Sequence, residues 1–410
     1  SKKTNSSVWL ETTKENNIKI FEKMGYSLID EKLELSIILS IIMRAGKTKR
    51  TFQQLNHRYF KGLNYLLNDE SDKAIDVFIQ LAETSQETFE PQLALGNLYR
   101  RKGEVDRAIK LHQALIAQAE LPERYRTRAL LAIGKDYMSA GLLDRAEVLF
   151  SELVEIEAHT PEALQSLVEI YQQEQDWLQA IKSASRFQSA TNRNMQTPIG
   201  HYYCELADLS LQQEDIEQAE KYLASALRVD DKSVRAHLIC AKLYQDKQQW
   251  QPAIEEYQAA KAADPSFIPL FINDLADCYL ALDQGEQLEQ EMLQWIESYR
   301  GVSPVLTLAN YYAKEKGQVF ASEFLTEQLN NRASFKGLNA LIELNEAELS
   351  QLGNDFVYFN VLKDLIDKLL KNKPKLRCRK CGFGAKSLHW QCPSCKNWGV
   401  VKPIYGLESE

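Results

Sequence analysis

The chain has little glycine and little proline, the two residues that interrupt regular secondary structure. Its 410 residues include 17 Gly and 11 Pro. Because both residues destabilise helix interiors, their scarcity favours a helical protein. Hydrophobic residues make up 44% and charged residues 26% of the chain, which is the composition of a globular protein and not of a disordered one. The length allows two or three domains.

The chain also lacks a hydrophobic run long enough to cross a bilayer. The most apolar stretch, LELSIILSIIM at residues 33–43, is well short of the roughly 20 residues that a membrane-spanning helix needs. Basic residues follow it, and they would keep the next part of the chain on the cytoplasmic side if the run touches a membrane. Two interpretations of the N-terminal segment 1–50 stay open: a remnant membrane anchor at 33–43, or a short helix packed on the repeats. No secretory signal is visible, since polar residues open the chain.

Catalytic motifs are missing as well. The sequence contains no HExxH, no GxSxG and no GxxxxGK[ST], the patterns that would indicate a metalloprotease, a serine hydrolase or a nucleotide-binding loop. Three cysteines, Cys204, Cys240 and Cys278, stand singly on helical patterns, and we expect them to be small buried hydrophobes. The chain is therefore not expected to be an enzyme.

What the chain does have is a pair of cysteine knuckles near its C-terminal end, CRKC and CPSC, separated by ten residues. Two residues between cysteines let both sulfurs point inward from one tight turn, and a short hairpin can bring the second pair to the first. This spacing predicts one metal ion, zinc or iron, held by four thiolates. The alternatives are two disulfides or four idle thiols. The other three cysteines are scattered singly, as in a reducing compartment, which argues against disulfides. The predicted ligands are Cys378, Cys381, Cys392 and Cys395.

Charge is distributed unevenly along the chain. The formal net charge is −8, yet residues 371–402 contain nine Lys or Arg and no acid. A basic metal domain on an acidic body is expected to dock on an acidic surface, whether that of its own body, another protein, anionic lipid or nucleic acid. Trp390 and Trp398 flank the second knuckle and Phe383 follows the first. We expect these rings to pack around the sulfurs, with the alternative that one of them is exposed as a contact.

The middle of the chain repeats itself. Four residues recur 34 positions later, and weaker copies continue to about residue 335; the first two sets are Gly62, Tyr65, Ala74, Phe78 and Gly96, Tyr99, Ala108, His112. A 34-residue period with this pattern resembles the tetratricopeptide repeat. The predicted fold class is all-α, a tetratricopeptide-repeat superhelical solenoid with a small C-terminal rubredoxin-like or zinc-ribbon domain. We expect about eight repeats over 55–335, capping helices over 336–373 and the metal-binding domain over 374–410.

Such a solenoid presents a groove lined by the first helix of each repeat. The period places charged and polar side chains there, which suits protein or peptide binding. The residues predicted to contact a partner are Asn97, Arg100, Arg101 and Lys135.

These stretches together resemble one family. The repeats GNLYRRKGEVDRAIKLHQAL (96–115) and GKDYMSAGLLDRAEVLF (134–150), with the tail CRKCGFGAKSLHWQCPSCKNWGVVKPIYGL, are similar to the bacterial lipopolysaccharide assembly protein B family over residues 51–410. The resemblance implies a non-enzymatic adaptor on the cytoplasmic side of the inner membrane. It implies that the adaptor promotes proteolysis of the committed-step UDP-acyl-GlcNAc deacetylase by the membrane AAA+ protease FtsH, alongside other inner-membrane lipopolysaccharide regulators. It also implies that the bound ion is iron, which spacing alone cannot distinguish from zinc.

The N-terminus departs from the family pattern, because about 32 polar residues precede a short apolar run where the family has its membrane helix; anchoring therefore stays open. Two other functions also stay open. One is a repeat scaffold whose basic ribbon binds nucleic acid, which the acidic body argues against, so that no nucleic acid is expected. The other is a redox or metal-sensing repeat protein. A homo-oligomer is neither required nor excluded.

Overall fold

The computed structural model describes residues 60–406, except 63, 66–67, 69, 85–88, 119–120, 347–353 and 372. The N-terminal segment 1–50, with its apolar run, lies outside the described residues. Within the described ranges, no helix combines the length and the apolar character needed to cross a bilayer. The chain divides into two compact units that meet in sequence between Leu142 and Leu143.

The first unit is built from antiparallel helical pairs in which each helix packs on its neighbour in sequence. Its helices are α1 (Ser71–Thr84), α2 (Phe89–Arg101), α3 (Val105–Ile116) and α4 (Glu123–Ser139).

The second unit continues the same pattern and ends in a short stretch of β-structure. A 3₁₀ helix, Pro265–Leu270, interrupts the helical series where Pro265 and Pro269 enter the chain. The helices are α5 (Leu143–Glu155), α6 (Thr160–Glu174), α7 (Trp177–Thr191), α8 (Gln196–Gln212), α9 (Ile216–Val229), α10 (Val234–Asp246), α11 (Trp250–Ala263), α12 (Ile272–Ala281), α13 (Gly285–Ser298), α14 (Ser303–Glu315), α15 (Gln318–Asn331), α16 (Phe335–Leu344) and α17 (Asn354–Lys371).

Small residues explain how closely the paired helices approach each other. A Cβ atom added to Gly62 would lie 2.9 Å from the ring of Phe78, and one added to Gly96 would lie 2.3 Å from the ring of His112. The alanines that recur at the start of each second helix are all fully buried, as the repeat pattern predicts. They are Ala74, Ala108, Ala146, Ala180, Ala219, Ala253 and Ala321.

The C-terminal ribbon is a three-stranded antiparallel sheet in the order β2-β1-β3. Its strands are β1 (Leu376–Cys378), β2 (Gly384–Ala385) and β3 (Val401–Pro403). Arg377 of the central strand lies opposite Gly384 on one side and Lys402 on the other. Because side chains alternate along a strand, Leu376 and Cys378 turn inward while Arg377 turns outward. The solenoid and ribbon together give the all-α repeat fold with a small metal-binding domain.

Candidate metal centre and its docking face

The two cysteine knuckles have the same local conformation. Each is closed by a backbone hydrogen bond across five residues, from Gly382 N to Cys378 O at 3.0 Å and from Lys396 N to Cys392 O at 2.8 Å. The donating residue has a positive φ in both, 79° at Gly382 and 55° at Lys396. Glycine adopts this conformation without penalty, whereas lysine does not. The second knuckle therefore holds a locally strained residue in order to keep its two sulfurs together.

The four sulfurs have the spacing that a tetrahedral ion requires. Cys378 Sγ lies 3.7 Å from Cys395 Sγ, and Cys381 Sγ lies 3.7 Å from Cys392 Sγ. All four atoms lie within 4.8 Å of one another. A metal–sulfur bond of about 2.3 Å places the corners of a tetrahedron about 3.8 Å apart. The four cysteines therefore fit one ion, and a thiolate set of this kind holds either zinc or iron.

Backbone N–H groups stabilise the thiolate form of two of these ligands. A hydrogen bond from the backbone of Phe383 lowers the pKa of Cys381, and one from Asn397 lowers the pKa of Cys395 to about 6. Burial acts in the opposite direction on Cys392 and raises its pKa to about 11. Since metals bind thiolates and not thiols, ion binding must release the proton from this buried sulfur.

The ribbon docks on the helices of the second unit through Trp398. Its Nε1 donates to Gln172 Oε1 of α6 at 3.0 Å. The ring stacks on His201 at 5.0 Å between centroids and meets Trp177 and Tyr202 edge-on, at 6.1 and 5.7 Å. Only 8% of this residue is exposed. A large aromatic surface and one directed hydrogen bond thus fix the ribbon against α6, α7 and α8.

Trp390 makes a second aromatic contact on the same face. Its ring lies 5.5 Å from that of Phe267 in the 3₁₀ helix and 5.7 Å from that of His201. The guanidinium of Arg235 approaches it at 5.9 Å and is itself held by Glu205 at 2.7 Å and by an aspartate of α8. Both tryptophan rings contact the solenoid, which the prediction of packing around the sulfurs did not include. Phe383 does pack in the ribbon core, as predicted.

An ion pair also joins the ribbon to the helices of the second unit. Lys402 Nζ forms an ion pair with Asp264, at the end of α11. Burial raises the pKa of Asp264, but hydrogen bonds from Lys402 and Ser266 outweigh this effect and lower it overall. At the other end of the interface, the ring of Tyr405 meets that of Tyr299 edge-on at 5.7 Å. The expectation that the basic domain docks on an acidic surface is met at Asp264, within the chain itself.

His201 lies at the centre of this interface. It is 5% exposed, and its Nδ1 has no hydrogen-bond partner in the described part of the chain. Gly399 of the ribbon passes so close that an added Cβ would lie 3.3 Å from His201 Nε2. Burial, and secondarily the charge of Arg235, lowers the pKa of His201 from 6.5 to about 3. The ring is therefore neutral wherever the ribbon stays docked.

This burial makes the stability of the second unit depend on pH. Once unfolded, His201 takes up a proton below pH 6.5, whereas the folded protein resists protonation until about pH 3. The contribution of the neutral imidazole to the free energy of unfolding is therefore complete above pH 6.5 and is lost as the pH falls. By pH 5 the loss is about 2 kcal/mol. Between pH 7 and pH 5, we expect the free energy of unfolding of His201→Phe to fall by about 2 kcal/mol less than that of the parent. Denaturant titrations at both pH values measure it, and equal losses in the two proteins would contradict it.

The predicted partner-contact residues lie on α2 and α4 of the first unit. Arg100 is half-buried and its guanidinium is fully engaged, with Asp136 Oδ1 at 2.7 Å and Asn97 Oδ1 at 2.8 Å. Asp136 is completely buried and also binds His112 Nδ1 at 2.5 Å. Arg101 is exposed and Lys135 is partly exposed. Partner contact by these four residues stays a prediction, and Arg101 and Lys135 are the two whose charges face outward.

The docking face was the part of the site that sequence reasoning missed. The contacts of His201 and Phe267 with the ribbon had no local signal, because each joins residues far apart in the chain. A weak signal did exist: two tryptophans in a domain with a very small core exceed what that core can bury.

Family models match both the repeats and the ribbon. The family described as "Rubredoxin metal binding domain" matches residues 377–403, and families described as "Tetratricopeptide repeat" match residues 93–124 and 204–266. Among solved structures, the C-terminal part of a TPR repeat-containing protein from Cytophaga hutchinsonii is 15% identical, with 69% of this chain and 99% of that chain covered and a TM-score of 0.36. A tetratricopeptide repeat protein from Parabacteroides merdae is 14% identical over 63% of this chain and 98% of that chain, with a TM-score of 0.30.

Curated relatives are much more similar. Lipopolysaccharide assembly protein B of Escherichia coli strain K12 is 34% identical over 357 residues, which cover 87% of this chain and 91% of the relative. The protein of the same name from Haemophilus influenzae is 28% identical over 365 residues, with the same coverage. The chain therefore belongs to the lipopolysaccharide assembly protein B family.

Proposed function

We propose that this chain is a non-catalytic adaptor in lipopolysaccharide assembly at the cytoplasmic face of the inner membrane. Relatives named for lipopolysaccharide assembly support the pathway, and tetratricopeptide arrays typically offer extended surfaces to other proteins. The observation that carries the proposal is the docked ribbon. With Trp398 buried between α6, α7 and α8, the metal domain and the helices form one binding body and not a carrier on a tether.

In this proposal the adaptor brings the UDP-acyl-GlcNAc deacetylase to the protease FtsH, and other inner-membrane lipopolysaccharide regulators adjust that encounter. The thiolate-bound ion would keep the ribbon folded and docked, and it would take no part in bond making or breaking. Iron is the ion that the family resemblance implies, and the sulfur geometry accommodates zinc equally well.

The test is the lifetime of the deacetylase in cells. Cys392→Ser removes a fully buried ligand and should lengthen the deacetylase half-life, measured by pulse-chase. The matched control is Cys240→Ser, which changes a thiol outside the metal site and should leave the half-life as in the parent. An unchanged half-life in Cys392→Ser, with the protein present at its normal level, would contradict the adaptor role.

A second test concerns the predicted partner surface. Arg101→Glu combined with Lys135→Glu reverses the two outward-facing charges and is expected to weaken capture of a partner at least about tenfold if each contact contributes roughly 1 kcal/mol. Arg100→Glu is a poor test, because it would also place a carboxylate beside buried Asp136. Lys182→Glu combined with Arg186→Glu, both exposed on α7, makes the same change in net charge elsewhere. Equal capture by the two double variants would remove this surface from the proposal.

A redox role is the second candidate, and the observation that favours it is the exposure of Cys381. An exposed ligand sulfur would give electrons a short path to the ion. Replacing iron by redox-silent zinc decides between the two functions. The adaptor should retain its effect on the deacetylase with zinc, whereas a redox protein should lose it.

A further inference from the structure

Helix α17, the last helix before the ribbon, carries apolar side chains on its surface. Ile366 is 2% exposed, and Lys363 pairs with Glu343 of α16 at 3.3 Å, so this side of α17 packs on α16. The other side carries side chains spaced three or four residues apart, which places them on one face. We call these four the α17 stripe: Val361 (52% exposed), Leu362 (41%), Leu365 (53%) and Leu369 (50%).

The ribbon that follows carries a basic surface, which we call the basic ribbon face: Lys375, Arg377 and Lys386. All three side chains are exposed, and none forms an ion pair within the described ranges. Arg377 stands directly opposite Lys402 across the sheet. Like charges opposite each other destabilise a sheet, and Lys402 is neutralised by Asp264 whereas Arg377 is not. This arrangement favours an external anion.

The α17 stripe and the basic ribbon face are close in the chain. Only residues 372–375 separate the end of α17 from the start of β1, a span of at most about 14 Å. Lys368 and Lys371 extend the positive charge into the last turn of the helix. Residues 361–386 as a whole contain nine Lys or Arg against two Asp. Exposed apolar side chains and a strong positive charge therefore occur together in one segment.

We propose that the α17 stripe and the basic ribbon face bind the surface of an anionic lipid bilayer. The apolar side chains would enter the headgroup region while the lysines and arginines pair with lipid phosphates, the combination by which interfacial helices bind membranes. A second copy of the chain fits less well, because it would bring two strongly positive segments together. This inference does not depend on the proposed adaptor role.

The experiment is co-flotation of the metal-loaded 410-residue protein with vesicles. One set contains equal parts of phosphatidylglycerol and phosphatidylcholine, and the other contains phosphatidylcholine alone. We expect binding to the first set only, weakened by salt. Lys375→Glu combined with Arg377→Glu should reduce the affinity at least about tenfold, since each basic residue near an anionic surface contributes about fivefold. Leu365→Gln combined with Leu369→Gln should reduce it at least about tenfold by removing apolar insertion.

Matched controls keep the outcome interpretable. Lys182→Glu with Arg186→Glu makes the same charge change on α7, and Val148→Gln with Leu178→Gln removes comparably exposed apolar side chains. Both controls should bind like the parent. Residues 1–59 are present in every variant, so their contribution to lipid binding is common to all of them. Circular dichroism and metal content verify that each variant is folded.

Three results would overturn the proposal. The first is equal binding to both kinds of vesicle, and the second is an equal loss of binding in the control variants. The third is that the α17 variants convert a dimer to a monomer in sedimentation, with vesicle binding unchanged. The stripe would then be an interface between copies of this chain.

Discussion

Removing the metal ion is expected to unfold the ribbon while leaving the helical solenoid folded. The hydrophobic core of the ribbon consists of five buried residues, and two of them, Cys378 and Cys392, are ligands. A core of this size cannot offset the entropy lost on folding, so the ion must supply the difference, on the order of 10 kcal/mol for a structural thiolate site. Neither chelation nor Cys392→Ser should reduce the far-ultraviolet helical signal by more than a few per cent of its value, since the described part of the ribbon contains no helix.

Two measurements report on the ribbon itself. Tryptophan fluorescence should shift to longer wavelength, because Trp390 and Trp398 leave their buried positions. Trypsin should cut within residues 375–402 faster than in the metal-loaded protein, because a folded ribbon fits the protease poorly. Cys204→Ser is unsuitable as a control because that thiol is fully buried in the solenoid, whereas Cys240→Ser changes a partly exposed one. A metal-free protein with unchanged fluorescence and unchanged protease resistance would show that the ion does not hold the ribbon together.

Trp398→Ala is expected to release the ribbon from the solenoid without releasing the ion. The substitution removes a buried ring that contacts Trp177, Tyr202 and His201, and truncating a buried aromatic residue in this way costs about 3–5 kcal/mol. The four ligands and the knuckle hydrogen bonds are untouched. Metal content should therefore stay at one ion per chain, while trypsin cuts the exposed linker before β1 faster than in the parent because the released ribbon no longer holds it.

A graded series separates the ring from its hydrogen bond. Trp398→Phe keeps an aromatic ring but loses the donor to Gln172, and it should cost about 1 kcal/mol plus the smaller ring's lost contact. Gln172→Ala removes the acceptor. Both changes break the same hydrogen bond, between Trp398 and Gln172. The double variant should therefore be less destabilised than the sum of the single variants. Additive effects, or a Trp398→Ala protein as protease-resistant as the parent, would contradict the assigned role of this contact.

The predictable part of this protein is the part encoded by short-range patterns. Alanines and glycines at a 34-residue period indicated paired helices, and Gly96 shows why: its neighbour His112 leaves no room for a side chain. The cluster of four cysteines was equally predictable from the sequence, since CxxC spacing determines sulfur geometry within one turn. In each case the residues that interact lie close in sequence or recur at a fixed interval.

The docking face could not be predicted for the converse reason. Nothing within the ribbon distinguishes a tryptophan that covers its own sulfurs from one that enters a neighbouring domain. Arg100 illustrates the same limit, because the period placed it in a groove without indicating that Asp136, on the next repeat's helix, would bind its guanidinium. Pairings that join distant elements depend on the assembled helices, which no single repeat contains.

The sequence distance between Trp398 and its acceptor Gln172, 226 positions, has a consequence for synthesis on the ribosome. The helices that receive the ribbon emerge long before it, so the nascent chain exposes Trp177, Tyr202 and Phe267 until translation is almost complete. The ribbon covers that surface only after it folds, which we expect to require the ion. We expect a cell short of the ion to accumulate full-length chains with an exposed aromatic surface, so that chaperone capture and turnover of this protein increase as intracellular metal supply falls.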